Sequence, residues 1–337
     1  MQQDRRSFLK TSGIIGAAAV TGGLATPVIA QTRGTGAPGE LKGLTLCTLR
    51  RGARYGLGVR IERGIIDVVA AEQDFREGAP TTIEAVFAGT RDSAALVRLV
   101  EKVKNSEADD RYVIAEQNAP FGPCVTRPEK ILGIGLNYRK HAAEVGQPVP
   151  KQPILFNKFN TALNNCGGTI AVSKIPAEQF DYEAELVVVI GRTAQNVSEA
   201  EASNYIFGYC TGNDFSARDL QSRSSQWMLG KTCDGFAPVG PWLVTADQVD
   251  GNNLKIGCKV NGEVRQDSNT SDMVFNCQQL VSYISKHMTL KPGDIIFTGT
   301  PEGVINGYPK DKRVWLKPGD RIVTSIEKLG DLDFRLT

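Results

Sequence analysis

Histidine is scarce in this 337-residue chain: His141 and His287 are the only two. Without a G-x-S-x-G elbow beside them, a Ser/His triad has few ways to form. The seven cysteines (Cys47, Cys124, Cys166, Cys210, Cys233, Cys258, Cys277) are odd in number and contain no C-x-x-C, which argues against a disulfide framework or a zinc site and leaves buried thiols. Basic runs are missing too. The 39 Lys and Arg exceed the 37 Asp and Glu by two charges, and that surplus lies in Arg5, Arg6 and Lys10 against Asp4. The rest of the chain is neutral and lacks the basic stripe a nucleic-acid binder needs to displace counterions. "GIGLNY" opens like a dinucleotide loop but has Tyr138 at the third glycine position, and "GKT" at 230–232 has Ser225 where a P-loop has its upstream glycine. A small-molecule partner is the expectation that survives.

What is present begins with a separate N-terminal text. "DRRSFLK" followed by the Ala/Gly-rich "TSGIIGAAAVTGGLATPVIA" resembles a Tat-type export signal, residues 1–30, with Val28 and Ala30 at the small-residue positions a signal peptidase reads. Asp4 stands where the Tat consensus has Ser or Thr. The resemblance implies the Tat machinery as a partner, cleavage after Ala30 and a periplasmic or exported mature protein. The apolar run is too short and glycine-rich for a stable membrane span, which takes about 20 predominantly apolar residues. Folding in a reducing compartment before export agrees with cysteines that form no framework.

Residues 31–40 read as a Gly/Pro/Thr linker. From Leu41, short apolar alternations broken by glycine predict a β-rich start, and "TTIEAVFAGTRDSAALVRLVEKVKNS" has the three- and four-residue spacing of amphipathic helices. "FGPCVTRPEK" marks a boundary between a small N-terminal domain, 41–127, and a strand-rich domain, 128–337. Two "LKPGD" turns precede strands in the second domain. Helical patterns interrupt the strands without βαβ alternation, which predicts a mostly antiparallel α+β fold, rich in β, rather than a doubly wound sheet.

"FDYEAELVVVIG" places Asp181, Glu183 and Glu185 on one side of a predicted strand that continues into Val187 and Val189 on the same side. That pattern predicts a strand running from the rim of a pocket into a core. Carboxylates about 7 Å apart repel unless a cation lies between them, and hard oxygen ligands select Mg2+, Mn2+ or Ca2+ over zinc. An isolated E-x-E is commonly a solvated strand, so three further stretches carry weight. Asp214 in "TGNDFSARDLQ" offers a third oxygen ligand. His141 and Glu144 stand at i, i+3, the spacing at which a carboxylate orients an imidazole as a base. Lys231 sits in a loop of small residues.

"GLNYRKHAAEVG", "PILFNKFNTAL", "DYEAELVVVIG", "GYCTGNDFSARDLQ", "QWMLGKTCDGFAPVGPWLVT" and "MTLKPGDIIFTGTPEGV" appear in the order found in the fumarylacetoacetate hydrolase family, which residues 128–337 therefore resemble. The resemblance implies a β-roll catalytic domain, commonly a homodimer, with Mg2+ or Mn2+ on Glu183, Glu185 and Asp214. It implies a water-activating dyad of His141 and Glu144, an active-site Lys231, and Arg218, Gln226 and Thr300 along the substrate pocket. Ile134 stands where the fumarylacetoacetase branch has an extra acidic ligand, which favours the branch acting on acylpyruvates. The implied reaction is hydrolysis of a C–C bond in a 2,4-dioxo acid through a pyruvate enolate. Decarboxylation, isomerisation or hydration of other 2-oxo acids, and a non-catalytic dicarboxylate-binding protein, are the alternatives.

Overall fold

The strand Ala184–Ile190 is buried along its whole length, and the fold grows outward from it. Its run of Leu and Val suits a pleated surface packed on both faces. Ile206–Asn213 and Ile295–Phe297 pair with it antiparallel, and Ile131–Gly135 joins Ile295–Phe297 in parallel. The structure, a computed structural model, describes residues 41–106 and 111–337; the export signal and linker expected in residues 1–40 lie outside these. The described residues form one compact unit.

Among the described residues, ten strands make one sheet. Its order is Val113–Ile114, Gly64–Asp67, Arg54–Ile61, Thr45–Arg51, Leu243–Thr245, Ile206–Asn213, Ala184–Ile190, Ile295–Phe297, Ile131–Gly135 and Ile154–Lys158. The stretch 121–130 carries the chain from one side of this sheet to the other, so residues 41–127 and 128–337 share it. A second sheet, ordered Glu263–Asn269, Lys255–Val260, Arg321–Ile326, Gly330–Leu336 and Thr169–Ile170, packs against Ala184–Ile190 and Ile206–Asn213. Most pairings are antiparallel, and the helices lie between strands without regular alternation, as an α+β, mostly β fold requires.

The helices start where capping residues allow. Asp92 accepts the Ala94 N–H at 2.9 Å ahead of Ser93–Asn105, and Asn276 with Gln279 forms a reciprocal capping box on Cys277–His287. His287 is exposed in the last turn of that helix, with its ring 4.8 Å from the Tyr283 ring, a surface role. No described helix is long and apolar enough to cross a membrane.

The acidic segment differs from its sequence-based expectation. The strand breaks at Tyr182 and Glu183: Phe180–Asp181 pairs with Ser216–Ala217, and Ala184–Ile190 belongs to the large sheet. At the break, side chains replace ladder partners: the Glu183 N–H donates to Asn213 Oδ1 at 3.2 Å and the Ala184 N–H to Gln266 Oε1 at 2.9 Å. The acids are also deeper than a rim, with Asp181, Glu183 and Glu185 only 0%, 5% and 1% exposed. Packing of the second sheet and of the segment 299–313 over this end covers them, which alternation alone does not reveal.

Candidate active site

Two neighbouring strands assemble the acidic cluster. Register pairs Ala184 with Asn213 and Glu185 with Gly212, so Asp214, the next residue, falls beside Glu183 and donates its N–H to the Glu183 carbonyl at 2.9 Å. One carboxylate oxygen from each of Glu183, Glu185 and Asp214 lies within 4.8 Å of the others, and all three residues are buried. Asp181 is turned elsewhere. It accepts the N–H groups of Ile305 and Asn306 at 2.9 and 3.0 Å and the Arg218 Nε–H at 2.9 Å.

Cations surround the trio unevenly. Lys231 Nζ donates to Glu183 at 2.6 Å and to Asp214 at 2.8 Å; Arg218 Nη2 is 2.7 Å from the second Glu183 oxygen; fully buried Lys158 pairs with the second Asp214 oxygen. Glu185 has no ion pair among the described residues. It accepts one N–H, from Gly299 at 2.7 Å. Gly299 has φ +101°, and a Cβ there would lie 2.7 Å from Asn137 Cβ, so only glycine presents that N–H comfortably. Burial opposes ionisation of Glu183, but Arg218 and Lys231 outweigh it and hold the carboxyl below its usual range. Burial, with Asp214 and Glu183 nearby, pushes Glu185 well above it.

Four buried carboxyl groups, counting Asp181, face three buried cations, and Glu185 is the one left without a cationic partner among the described residues. A divalent cation fits this donor set. It would relieve the repulsion at Glu185, the donors are hard oxygens, and each carboxylate oxygen already bonded by an ammonium keeps a further lone pair.

The dyad is assembled from a different part of the fold. Asn137, fully buried, donates to Thr298 O at 2.7 Å and Phe275 O at 3.0 Å and accepts the Phe275 N–H, which pins the start of the short helix Arg139–Glu144. On that helix His141 Nδ1 lies 3.2 Å from Glu144 Oε2, and Glu144 Oε1 accepts the Gly303 N–H at 2.8 Å. With Nδ1 engaged, Nε2 is the nitrogen left for chemistry.

A cavity of about 660 Å³ joins the parts: His141, Glu183, Glu185, Asp214, Arg218, Lys231 and Thr300 all line it. Thr300 Oγ1 accepts Gln266 Nε2–H at 2.9 Å. Ile134 contributes apolar wall where the fumarylacetoacetase branch would have its additional acid. Gln226 is not in the wall; it lies in an exposed turn after the helix Arg218–Gln221. Gln221 lines the cavity instead, one helical turn from Arg218, and accepts from Arg218 Nη1 at 3.0 Å. The "ARDLQ" spacing contains that signal. Lys158 and the Phe156–Trp227 pair, ring centroids 5.8 Å apart, are further site residues that sequence reasoning passed over. A lone lysine at a strand end has no local mark separating it from a solvated one.

Residues 130–337 match the family described as fumarylacetoacetate (FAA) hydrolase, C-terminal. The chain is 43% identical over 231 residues to the mitochondrial oxaloacetate tautomerase of Bos taurus, covering 68% of this chain and 73% of that one. Among solved structures it is similar to the fumarylacetoacetate hydrolase of the psychrophile Exiguobacterium antarcticum, with TM-score 0.72, 29% identity, and coverage of 87% of this chain and 99% of that one. It is also similar to fumarylpyruvate hydrolase from Pseudomonas aeruginosa, solved with Mn2+ and pyruvate. There the TM-score is 0.56 and the identity 32%, covering 63% of this chain and 91% of the other.

Proposed function

The chain belongs to the fumarylacetoacetate hydrolase family, and from that premise we propose that it is a divalent-metal-dependent hydrolase that cleaves the C–C bond of 2,4-dioxo acids of the acylpyruvate type. The observation that carries the reading is the meeting, in one cavity, of an acid trio whose Glu185 has no cationic partner and a His–Glu pair. Glu183, Glu185 and Asp214 would hold the ion, with Mg2+ as the proposed metal and Mn2+ or Ca2+ as substitutes. When bound, the ion supplies Lewis-acid stabilisation of negative charge on the 2-oxo acid.

The residues then have separate tasks. Glu144, itself held by the Gly303 N–H, fixes the His141 tautomer so that Nε2 takes a proton from water. That water attacks the C4 carbonyl, the C3–C4 bond breaks, and its electron pair passes into pyruvate enolate. The proton on His141 returns to carbon, giving pyruvate and a carboxylic acid. Lys231, kept cationic by Asp214 and Glu183 against the effect of burial, has an N–H to offer the developing oxyanion. Arg218 and Thr300 complete the polar wall.

A second reading, keto–enol tautomerisation of oxaloacetate, draws support from the bovine relative. It needs the same proton carrier and no attacking water. Loss of acetylpyruvate absorbance with Mg2+ or Mn2+, run beside enol–keto conversion of oxaloacetate, separates the two. Pyruvate release from acetylpyruvate supports the hydrolase; conversion of oxaloacetate with acetylpyruvate untouched supports the tautomerase. Binding of both without turnover would leave a non-catalytic dicarboxylate binder. The same proposal has the mature chain exported after cleavage following Ala30 and paired as a homodimer, tested by N-terminal sequencing of an exported fraction and by light scattering.

A further inference from the structure

The cavity wall includes three permanent cations, Arg218, Lys231 and Arg313. Arg218 and Lys231 are engaged by buried carboxylates. Arg313 is held differently. Its Nε–H donates to Tyr308 O at 2.9 Å, its Nη2 donates to Asn306 O at 2.5 Å, and its guanidinium lies 5.9 Å from the Trp315 ring centre. No carboxylate among the described residues pairs with it. The two backbone bonds fix the fork without neutralising it, and Nη1 remains for a ligand.

The carbonyl-bearing loop is fixed in turn. Asp181 receives the Ile305 and Asn306 N–H groups, so the buried acid that stays out of the acidic trio secures the turn that holds Arg313. Arg313 and Asn306 are half-buried, unlike the floor residues Glu183, Glu185 and Lys231, which places Arg313 towards the open end. A rigid, uncompensated guanidinium in a cavity wall is suited to charge-assisted hydrogen bonding of a carboxylate. The cavity, about 660 Å³, extends well past the 2-oxo acid head that the floor would hold.

We infer that Arg313 is a specificity-determining residue that binds a second, distal carboxylate, so that the preferred ligands are 2-oxo dicarboxylic acids rather than 2-oxo acids with a neutral tail. This rests on the proposed placement of the 2-oxo acid head at the acidic trio. Calorimetric titration of Mg2+-loaded protein with 2-oxoglutarate and with 2-oxopentanoate, equal in length and differing in the distal carboxylate, tests it without turnover.

The wild type is expected to prefer 2-oxoglutarate by about 10-fold or more, the range of a hydrogen-bonded charge pair. In Arg313→Gln the preference falls to about twofold while 2-oxopentanoate binding is unchanged; Arg313→Lys, with charge but no fork, retains part of it. If Arg313 merely capped the Asn306 and Tyr308 carbonyls, both ligands would weaken equally, and that result overturns the inference. Equal wild-type affinities overturn it too. Failure of both ligands to bind wild type removes the proposed head site and the inference with it. Should Arg313→Gln fail to fold in a thermal melt, the preference in Arg313→Lys decides: unchanged from wild type, it overturns the inference.

Discussion

Two sets of buried carboxylates share this protein and behave oppositely. Asp294 and Asp320 end the two "LKPGD" turns, and each accepts the N–H of the lysine three residues before it, Lys291 or Lys317, at 2.8 Å. Asp294 also takes the Lys130 N–H and ammonium at 2.8 Å, and Asp320 the Asn261 amide at 2.9 Å. Glu185 is as buried as either, yet has one N–H and no cation. Burial of an acid is therefore not what marks a site. The turn carboxylates are satisfied by their own loop together with Lys130 or Asn261 and stabilise the fold; the trio keeps one carboxyl, Glu185, that no cation of the protein meets. Glu144 stands between, with one oxygen on the Gly303 backbone and the other on His141.

Substitutions can break this comparison. The largest effect is expected at His141: in His141→Ala, turnover falls about 10²–10⁴-fold, the usual range for a lost general base, while calorimetry finds substrate still bound. Unchanged turnover would remove the dyad from the chemistry. Next comes Asp294→Asn, which leaves metal affinity untouched but lowers unfolding free energy by about 2 kcal/mol in urea titration, because Lys130 and two N–H groups lose a charged partner. Smallest, and opposite in sign, is Glu185→Gln in metal-free protein, which gains about 1 kcal/mol of stability at neutral pH.

The sign at Glu185 follows from its raised carboxyl. The unfolded chain releases that proton near its ordinary value of 4.5 and the folded chain only at higher pH, so the group's contribution to stability declines as pH rises through the interval. Glu185→Gln removes that decline, which chemical melts between pH 4.5 and 8 will register as a flatter profile in the variant than in the wild type.

Legibility in the sequence followed the range of the interactions. Strands such as Ile295–Phe297 and Arg321–Ile326, which follow the two "LKPGD" turns, are set by local alternation and turn residues, and they stand where the pattern puts them. Glu183, Glu185, Asp214, His141 and Glu144 were readable because i, i+2 and i, i+3 spacings and the family motifs are local as well. Asp181 was not separable from its neighbours, since the break that redirects it depends on Asn213 and Gln266, 30 or more residues away. Gln221 and Gln226 differ only in that the helix ends at Gln221 and an exposed turn follows. Continuity of the large sheet across residues 127 and 128 rests on long-range pairings such as Thr45 with Val244, which no window of sequence displays.

The central claim is that the acidic trio, with Glu185 left without a cation of the protein, exists to hold one divalent ion. Mn2+ titration followed by electron paramagnetic resonance, on wild type, Glu185→Gln and Asp294→Asn side by side, tests it most directly. The account predicts one site per chain in wild type and in Asp294→Asn, with affinity reduced about 100-fold or more in Glu185→Gln. Equal Mn2+ binding by wild type and Glu185→Gln would contradict it.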